Sequence, residues 1–346
     1  MEHSEKSTVK LAHIAADSGC SVATVSLVLN PQPGKNPRIS EKTRQRITAS
    51  AARLGYRPNR HAEFLKRGSL SELGIFLPEF DNSLILDFIK GSCISANEED
   101  FSLSYCFYQD ENSLKNFLEQ AICRRNCGLI IYPSVTMENA GEFLKKYCRQ
   151  GGKAVLIEPQ GPELLHPLPE LPRILLDDRT GGQLVADHLL EQGCRIFVIY
   201  GDGRTRVASF IEQIKKYDCR FTHHSTHTPV EKVVEDIHSS SGKVGVFCST
   251  DSVALSLHTA LLSAGTIPGE QIKLCGYDCL FRPNRLTPQL TSVYQPFKEA
   301  GYQAVKMLIR SIYDRPVENL LLQPELRPCA STLGNSIPAE TSPLLT

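Results

Sequence analysis

From residue 72 onward, short apolar runs alternate with longer stretches in which apolar residues recur at helical spacing. The predicted strands are 73–77, 103–107, 129–132, 154–157, 174–176, 196–200, 244–248 and 272–275. The predicted helices are 84–98, 112–124, 138–150, 180–192, 206–216, 230–239, 252–264 and 297–313. Alternating strands and helices favour parallel sheets with helices on both faces, and eight strands over about 260 residues fit two Rossmann-like lobes better than one.

Two segments of this region are expected to carry the chain between the lobes. Residues 159–172 (PQGPELLHPLPELP) are rich in proline, and a second crossing is expected near 292–297. Lobe one is therefore predicted at about 72–160 and 295–324, and lobe two at about 161–294 and 325–334. Residues 335–346 (NSIPAETSPLLT) are predicted to be a disordered tail.

Charge is distributed unevenly along the chain, although the whole sequence has 38 basic and 38 acidic residues. Residues 1–68 contain twelve Lys and Arg against five Asp and Glu, and the remainder contains 26 against 33. A basic head on an acidic body indicates that the head meets a polyanion, with an ordinary solvated surface as the alternative.

Residues 11–30 (LAHIAADSGCSVATVSLVLN) predict two short helices joined by a turn. Gly19 fits the left-handed position that ends the first helix, and Ser21 fits the N-cap of the second. A third helix is predicted from the N-cap Ser40, with Glu41 in its first turn, to Gly55. The apolar positions that recur at helical spacing are Leu11, Ile14, Ala15, Val22, Val25, Val28, Leu29, Ile47, Ala51 and Leu54.

These segments together resemble the LacI/GalR (lac repressor) family. The matching positions are Ala15-x-x-Ser18-Gly19-x-Ser21-x-x-Thr24-Val25-Ser26, Asn30, Ile39-Ser40-x-Lys42-Thr43-Arg44 and Leu54-Gly55-Tyr56-x-Pro58-Asn59. The resemblance continues more diffusely to about residue 334, and it implies an all-α helix-turn-helix DNA-binding head with an α/β two-lobed, periplasmic-binding-protein-like effector domain. The implied domains are the head at 1–57, a hinge helix and linker at 58–71, and an effector-binding and dimerisation domain at 72–334.

By this resemblance, the second helix of the head lies in the major groove of DNA. The residues expected against base edges are Ser21, Val22, Ala23, Thr24 and Leu27, and those expected at phosphates are Ser21, Thr24, Ser26 and Asn30. Val22 and Ala23 occupy the main base-reading positions, where small apolar side chains suit thymine methyl groups. Leu27 stands where the family often has Arg, so the half-site sequence does not follow from relatives. For the phosphate-contacting residues the alternative is helix capping and packing.

Three further segments are expected at the DNA. The loop 31–38 (PQPGKNPR) is longer than the family's usual turn, and either Lys35 and Arg38 reach the DNA backbone or the loop is a tolerated surface insertion. Tyr56 belongs to the exit motif of the head. Residues 58–67 (PNRHAEFLKR) resemble the family's hinge helix, which contacts DNA through Asn59, Ala62 and Leu65. Leu65 holds the position of a wedge that enters the minor groove, with packing between the lobes as the alternative.

The effector site is expected beyond the carboxyl ends of the strands, where ligands bind in open α/β sheets. The candidate residues are Phe80, Asp81, Glu158, Arg206, Thr250 and Asp278. By resemblance, Arg206 and Asp278 hold two family effector positions, and a guanidinium with a carboxylate suits vicinal hydroxyls or a carboxylate. The alternatives are a salt bridge between helices for Arg206 and a helix cap for Asp278. Glu158 stands where Asp is usual and Thr250 where Asn is common, so the effector remains open.

Two other classes of protein fit the sequence less well. An extracytoplasmic solute-binding protein would carry an export signal, but residues 1–10 lack an apolar core and no run of 18 apolar residues exists. An α/β enzyme would show a nucleotide loop or a nucleophile elbow, and Gly201-Asp-Gly203-Arg204 lacks the third glycine of a dinucleotide loop. The 12 cysteines form no Cys-x-x-Cys pair, which favours small buried thiols over a zinc site.

The sequence therefore predicts a cytoplasmic, non-enzymatic transcriptional regulator, of the repressor type, without cofactor or metal. Its expected partners are pseudo-palindromic double-stranded operator DNA, a second copy in a homodimer, and a small-molecule effector of the carbohydrate class, with no membrane. The effector is expected to change the affinity for the operator. The sequence leaves the sign of that change open.

Overall fold

The computed structural model describes residues 9–29, 39–56, 70–79, 83–108, 111–124, 126–133, 140–157, 171–280 and 288–334. They fall into two compact units, divided between Leu70 and Ser71. The helices are α1 Leu11–Ser18, α2 Val22–Leu29, α3 Glu41–Arg53, α4 Ser83–Glu98, α5 Glu111–Arg124, α6 Ala140–Arg149, α7 Asp178–Glu191, α8 Arg204–Ile214, α9 Val230–Ser239, α10 Asp251–Ser263, α11 Phe297–Ile312 and α12 Ala330–Leu333. The strands are β1 Leu70–Pro78, β2 Ser102–Tyr108, β3 Asn126–Ile131, β4 Ala154–Ile157, β5 Arg173–Leu176, β6 Ile196–Tyr200, β7 Arg220–His224, β8 Val244–Cys248, β9 Ile272–Cys275, β10 Ser292–Tyr294, β11 Leu320–Leu322 and β12 Glu325–Arg327.

The first unit is built from α1, α2 and α3. Gly19 ends α1 with φ 61°, and α1 and α2 are bent by 108° relative to each other, within the range of a helix-turn-helix. Ile14, Val25 and Ile47, one from each helix, are wholly buried, and each such side chain contributes roughly 1.5–3 kcal/mol through burial. The predicted helix-turn-helix head is confirmed.

The helix starts in the head follow their N-cap residues. The Ser21 hydroxyl accepts a hydrogen bond from the Thr24 amide at 3.1 Å, and Ser40 accepts one from the Thr43 amide at 3.2 Å. A side-chain oxygen in this position satisfies an amide that has no partner inside the helix.

The second unit contains two parallel sheets, the larger with six strands and the smaller with four, and a separate antiparallel pair formed by β10 and β12. The six-stranded sheet has the order β11-β5-β4-β3-β1-β2, and the four-stranded sheet has the order β7-β6-β8-β9. Ile75 and Phe76 of β1 are both wholly buried and belong to core clusters on opposite faces of their sheet. Because helices cover both faces, the central strands are continuous apolar runs. The predicted two-lobed α/β fold with parallel sheets is confirmed.

Strand order reverses in both sheets, at β2-β1-β3 and at β7-β6-β8. In the smaller sheet, β6 pairs in parallel with both β7 and β8, and Tyr200 lies opposite Cys248 at the carboxyl end. Such a reversal leaves a crevice beyond the strand ends, because the following helices leave to opposite faces.

The predicted boundary between the lobes near residue 160 was wrong. The strand β5 pairs in parallel with β4 and with β11, so it belongs to the six-stranded sheet and not to the second lobe. The proline-rich stretch 159–172 therefore joins two neighbouring strands of one sheet, and the chain leaves that sheet after β5, at the start of α7. The physical reason is that β5, with Ile174 wholly buried, extends the same core as Val155 of β4.

The strand count was also too low. Within the described residues, β7, β10, β11 and β12 are strands that the sequence did not predict, and α12 is an additional short helix. The strand β10 pairs antiparallel with β12 and lies beside the end of β9 through bridges at Thr291 and Tyr294. The chain then passes through Gln295 into α11, which packs on α4 against the six-stranded sheet.

Among the described residues, no single helix has both the length and the apolar character needed to cross a membrane; α1 and α2 meet that test only as a pair, bent by 108°.

Candidate DNA-binding face and ligand site

The first turn of α2 presents its side chains to solvent. Val22 is 48% exposed although it is apolar, and Ser21 and Ala23 are also exposed. Val25 and Val28, three and six residues further along, point into the core of the head. The turn is therefore fixed by packing on one side and open on the other, as contact with a surface outside the head requires.

The remaining predicted DNA-contacting residues have mixed environments. Ser21 and Thr24 hydroxyls lie 2.8 Å apart, so the capping role that was the alternative for both is present. Ser26, Leu27 and Tyr56 are half-buried. The predicted residues Asn30, Arg38, Asn59, Ala62 and Leu65 lie outside the described residues.

Two polar contacts join α3 to the helix-turn-helix of the head. Asp17 of α1 accepts hydrogen bonds from Ser50 and from Arg53 of α3, and these bonds lower the pKa of Asp17. Arg46 donates to the Cys20 sulfur at 3.2 Å, and this bond lowers the pKa of the Cys20 thiol. The described residues of the head carry five Lys and Arg side chains against two acidic ones, so this part of the head is net positive.

In the second unit, Arg206 lies at the strand-order reversal of the smaller sheet. It sits in the first turn of α8, three residues after the glycine-containing link from β6. Its Nη1 donates to the Ser249 carbonyl at 3.0 Å and to Asp278 Oδ1 at 3.1 Å. The Arg206 side chain is 14% exposed, so these bonds form in a largely water-free setting.

Two further partners complete the setting of Arg206. Asp178 holds the guanidinium at two points, with Nε and Nη2 each 3.1 Å from a carboxylate oxygen. The guanidinium carbon lies 3.8 Å from the centre of the Tyr277 ring, and the Tyr277 hydroxyl donates to Asp178 at 2.9 Å. A planar guanidinium suits both a carboxylate fork and an aromatic face. The salt-bridge alternative for Arg206 is thus realised, with Asp178 and Asp278 as partners.

Sequence reasoning did not select Asp178 or Tyr277. The usable signal was the Asp177-Asp178 pair directly after the apolar run of β5. A second signal was Gly181, where a Cβ would lie 1.9 Å from the Tyr277 hydroxyl and would displace the ring. Glycine at this position lets the ring of Tyr277 reach under Arg206.

Asp278, which contacts this arginine, and Asp251, which stands at the start of α10, are both buried carboxylates. Asp278 accepts hydrogen bonds from Arg206 and, at 2.6 Å, from Gln295 Nε2. Burial raises the pKa of Asp278 to about 6, although Arg206 and Gln295 favour its charged form. Burial also raises the pKa of Asp251 to about 7, against the lowering effect of a hydrogen bond from Ser292. Among the described residues, two carboxylates, Asp178 and Asp278, thus contact the single guanidinium of Arg206.

The structure brings two of the predicted effector residues together and gives a third a different setting. Arg206 and Asp278 are in direct contact. Thr250 caps α10, with its hydroxyl accepting from the Val253 amide at 3.3 Å. No helix starts at Asp278 within the described residues up to 280, so the helix-cap alternative for Asp278 was wrong. Phe80, Asp81 and Glu158 lie outside the described residues.

Family models match both units of the chain. The model of bacterial regulatory proteins of the lacI family matches residues 10–59, and the model of the periplasmic binding protein-like domain matches residues 186–332. The first match covers all three helices of the head, and the second runs from within α7 to α12 and includes Arg206 and Asp278.

Curated relatives align along nearly the whole chain. The chain is 24% identical to the HTH-type transcriptional regulator RegA of Clostridium saccharobutylicum, over 92% of this chain and 98% of the relative. It is 26% identical to the ribose operon repressor of Bacillus subtilis, over 90% of this chain and 94% of that protein.

Solved structures show the same fold. A lac repressor dimer bound to operator and the anti-inducer ONPF superposes with a TM-score of 0.74 at 20% identity, over 94% of this chain and 99% of that chain. A complex of the transcriptional regulator CelR with cellobiose gives a TM-score of 0.65 at 20% identity, over 93% and 99%. With the exposed α2 turn, the two parallel-sheet lobes and matches to both domain models, the chain belongs to the LacI/GalR family of transcriptional regulators.

Proposed function

We propose that this regulator represses transcription by binding a pseudo-palindromic operator as a homodimer, and that a small polyhydroxy molecule at Arg206 and Asp278 changes its affinity for DNA. The DNA-binding half of the proposal rests on the exposed first turn of α2, where Val22 and Ala23 are free to meet thymine methyl groups. Two-fold symmetric sites suit a dimer with one such helix per half-site.

The chemistry around Arg206 supports a ligand that brings hydroxyl groups. Its Nε and Nη1 atoms already donate to protein oxygens and its Nη2 atom is ion-paired with Asp178, so a ligand meets carboxylate acceptors more than free donors. A ligand carboxylate or phosphate would add negative charge beside Asp178 and Asp278, at a penalty that burial enlarges. Sugars supply O–H donors without charge. One relative is named ribose operon repressor, and one solved structure of similar fold is a complex with cellobiose.

The other predicted residues keep their proposed roles. At the DNA these are Ser21, Thr24, Ser26, Leu27, Asn30, Arg38, Tyr56, Asn59, Ala62 and Leu65, with Leu65 as the minor-groove wedge. At the effector they are Phe80, Asp81, Glu158 and Thr250. The proposed organisation is a head at 1–57, a hinge at 58–71 and an effector and dimerisation domain from 72 to 334.

The first test is selection of bound duplexes from a random pool by the full chain, followed by titration of the selected site over a salt series. We expect a two-fold symmetric consensus and an affinity that falls linearly with salt on logarithmic axes. Absence of an enriched sequence at low ionic strength would refute the DNA-binding proposal.

The second test repeats the titration with D-ribose, cellobiose and other neutral sugars, each beside its phosphorylated form. We expect a neutral sugar to shift the midpoint about 5–150-fold, since coupling between sites is typically 1–3 kcal/mol. The phosphorylated form serves as the matched control and should have no effect. A shift by the phosphate alone would refute the proposed ligand class and leave DNA binding intact.

A further inference from the structure

The turn that follows β9 contains two consecutive residues in the left-handed region. Asp278 has φ 102° and Cys279 has φ 52°. Among the described non-glycine residues, Asp100 and Asp314 also have positive φ, but each stands alone. Residues other than glycine rarely adopt a positive φ, and they keep it where the surrounding structure imposes it. The turn also carries the carboxylate that contacts Arg206.

Three successive amides of this turn are each held by a separate acceptor. The Asp278 amide donates to the Val293 carbonyl at 2.9 Å. The Cys279 amide donates to the Ser292 hydroxyl at 3.1 Å. The Leu280 amide donates to Asp251 Oδ2 at 2.7 Å. The last two acceptors are the side chains of Ser292 and Asp251, so these two hydrogen bonds depend on those residues and not on strand pairing.

Asp251 and Ser292 also hold each other. The Ser292 hydroxyl donates to Asp251 Oδ1 at 2.6 Å, while Asp251 is 1% and Ser292 3% exposed. The Asp251 amide in turn donates to the Tyr277 carbonyl at 2.7 Å. A Cβ at Gly276 would lie 2.2 Å from Asp251 Oδ1, so the turn closes directly onto this carboxylate.

We propose that Asp251 and Ser292 are positioning residues that impose the left-handed turn and thereby aim Asp278 at Arg206. Asp251 stands at the start of α10 and Ser292 on β10, so the turn is held between two rigid elements. The hydrogen bonds by which Asp251 and Ser292 hold the turn do not involve Arg206. These two residues therefore position Asp278 through the backbone of the turn. The effect on ligand affinity rests on the proposed effector role of Arg206 and Asp278, whereas the effect on the turn does not.

The test compares three variants of the full chain. Ser292→Ala removes the acceptor of the Cys279 amide, and Asp251→Asn leaves one acceptor oxygen where two donors need one each. Ser331→Ala is the matched control, because Ser331 is also a buried serine that accepts from an amide, that of Thr291, and donates to a carbonyl. Because Ser331 lies outside the turn, the Ser331→Ala variant measures the effect of losing a buried hydroxyl alone.

Two measurements separate positioning from general destabilisation. Amide exchange by mass spectrometry, without ligand, should show about tenfold less protection at residues 278–280 in Ser292→Ala and Asp251→Asn, and unchanged protection there in Ser331→Ala. Calorimetry with D-ribose and cellobiose should show about tenfold weaker binding, equal to about 1.4 kcal/mol, in the first two variants only.

Each outcome bears on a different claim. Unchanged exchange at 278–280 in both variants would overturn the role of Asp251 and Ser292, whatever the ligand data show. Faster exchange with unchanged sugar affinity would overturn the link to Asp278. If the unmodified protein binds neither sugar, the effector part of the proposed function fails on those probes, and exchange alone decides whether the two residues hold the turn.

Discussion

Replacing Arg206 by methionine is the most demanding test of the ligand site. The substitution keeps most of the apolar stem but removes three hydrogen bonds, one each to Asp178, Ser249 and Asp278, and the ion-pair contact of Nη2 with Asp178. The carboxylates that lose their cation are 23% and 10% exposed, so they stay largely out of water. Breaking a buried ion pair by removing one partner destabilises a protein by about 3–5 kcal/mol, and we expect a loss of this order in the free energy of unfolding.

The matched control is Arg179→Met. Arg179 pairs with Glu212 at 2.7 Å, but both side chains are more than half exposed, and such pairs contribute about 0–1 kcal/mol. Urea unfolding at pH 7, followed by circular dichroism, should show a much lower midpoint for Arg206→Met than for Arg179→Met. Adding Asp278→Asn to Arg206→Met should restore part of the loss by removing one uncompensated charge. Equal midpoints for the two arginine variants would refute the electrostatic reasoning.

Three further predictions follow from burial and charge. The pKa of Asp251 is raised from 3.8 to about 7, so the free energy of unfolding of the body should fall as pH rises from about 4 to about 7, by roughly 4 kcal/mol at most. Urea unfolding at pH 5 and 7.5 should show a smaller fall in the Asp251→Asn variant. Val22→Gln should change the base preference at one position of the half-site by about 1–3 kcal/mol, measured by binding to single-base operator variants. The melting temperature of the head should stay unchanged, because Val22 is 48% exposed. Ile47→Ala should destabilise the head by about 2–5 kcal/mol and abolish operator binding, while the thermal unfolding of the body remains as in the unmodified protein.

Sequence reasoning was most accurate where a strand is buried on both faces. Val244–Cys248 and Ile272–Cys275 begin and end where the apolar runs predicted, and every residue in them is buried. β7 escaped prediction because Arg220–His224 is an edge strand with one apolar residue, and its residues are exposed or half-buried. The three-residue strands β10, β11 and β12 were not predicted either, because they form by pairing with segments that are distant in the sequence.

The candidate site was predicted in part for a related reason. Arg206 and Asp278 both follow strands of the smaller sheet, so the rule that ligands lie beyond strand ends selected them. Asp178 follows β5, which belongs to the other sheet, and no local pattern shows that α7 brings it back to Arg206. The role of Asp251 depends on a turn whose geometry only the fold reveals.

The position of β11 has a consequence for how the body can assemble. This strand completes the six-stranded sheet by pairing with β5, although the entire four-stranded sheet lies between them in the sequence. The edge of β5 therefore stays open during synthesis until the second lobe has emerged, and closing so long a loop is slow. A fragment ending before Leu320 would expose that edge to other chains, so shortened versions of the body should aggregate rather than yield one intact lobe.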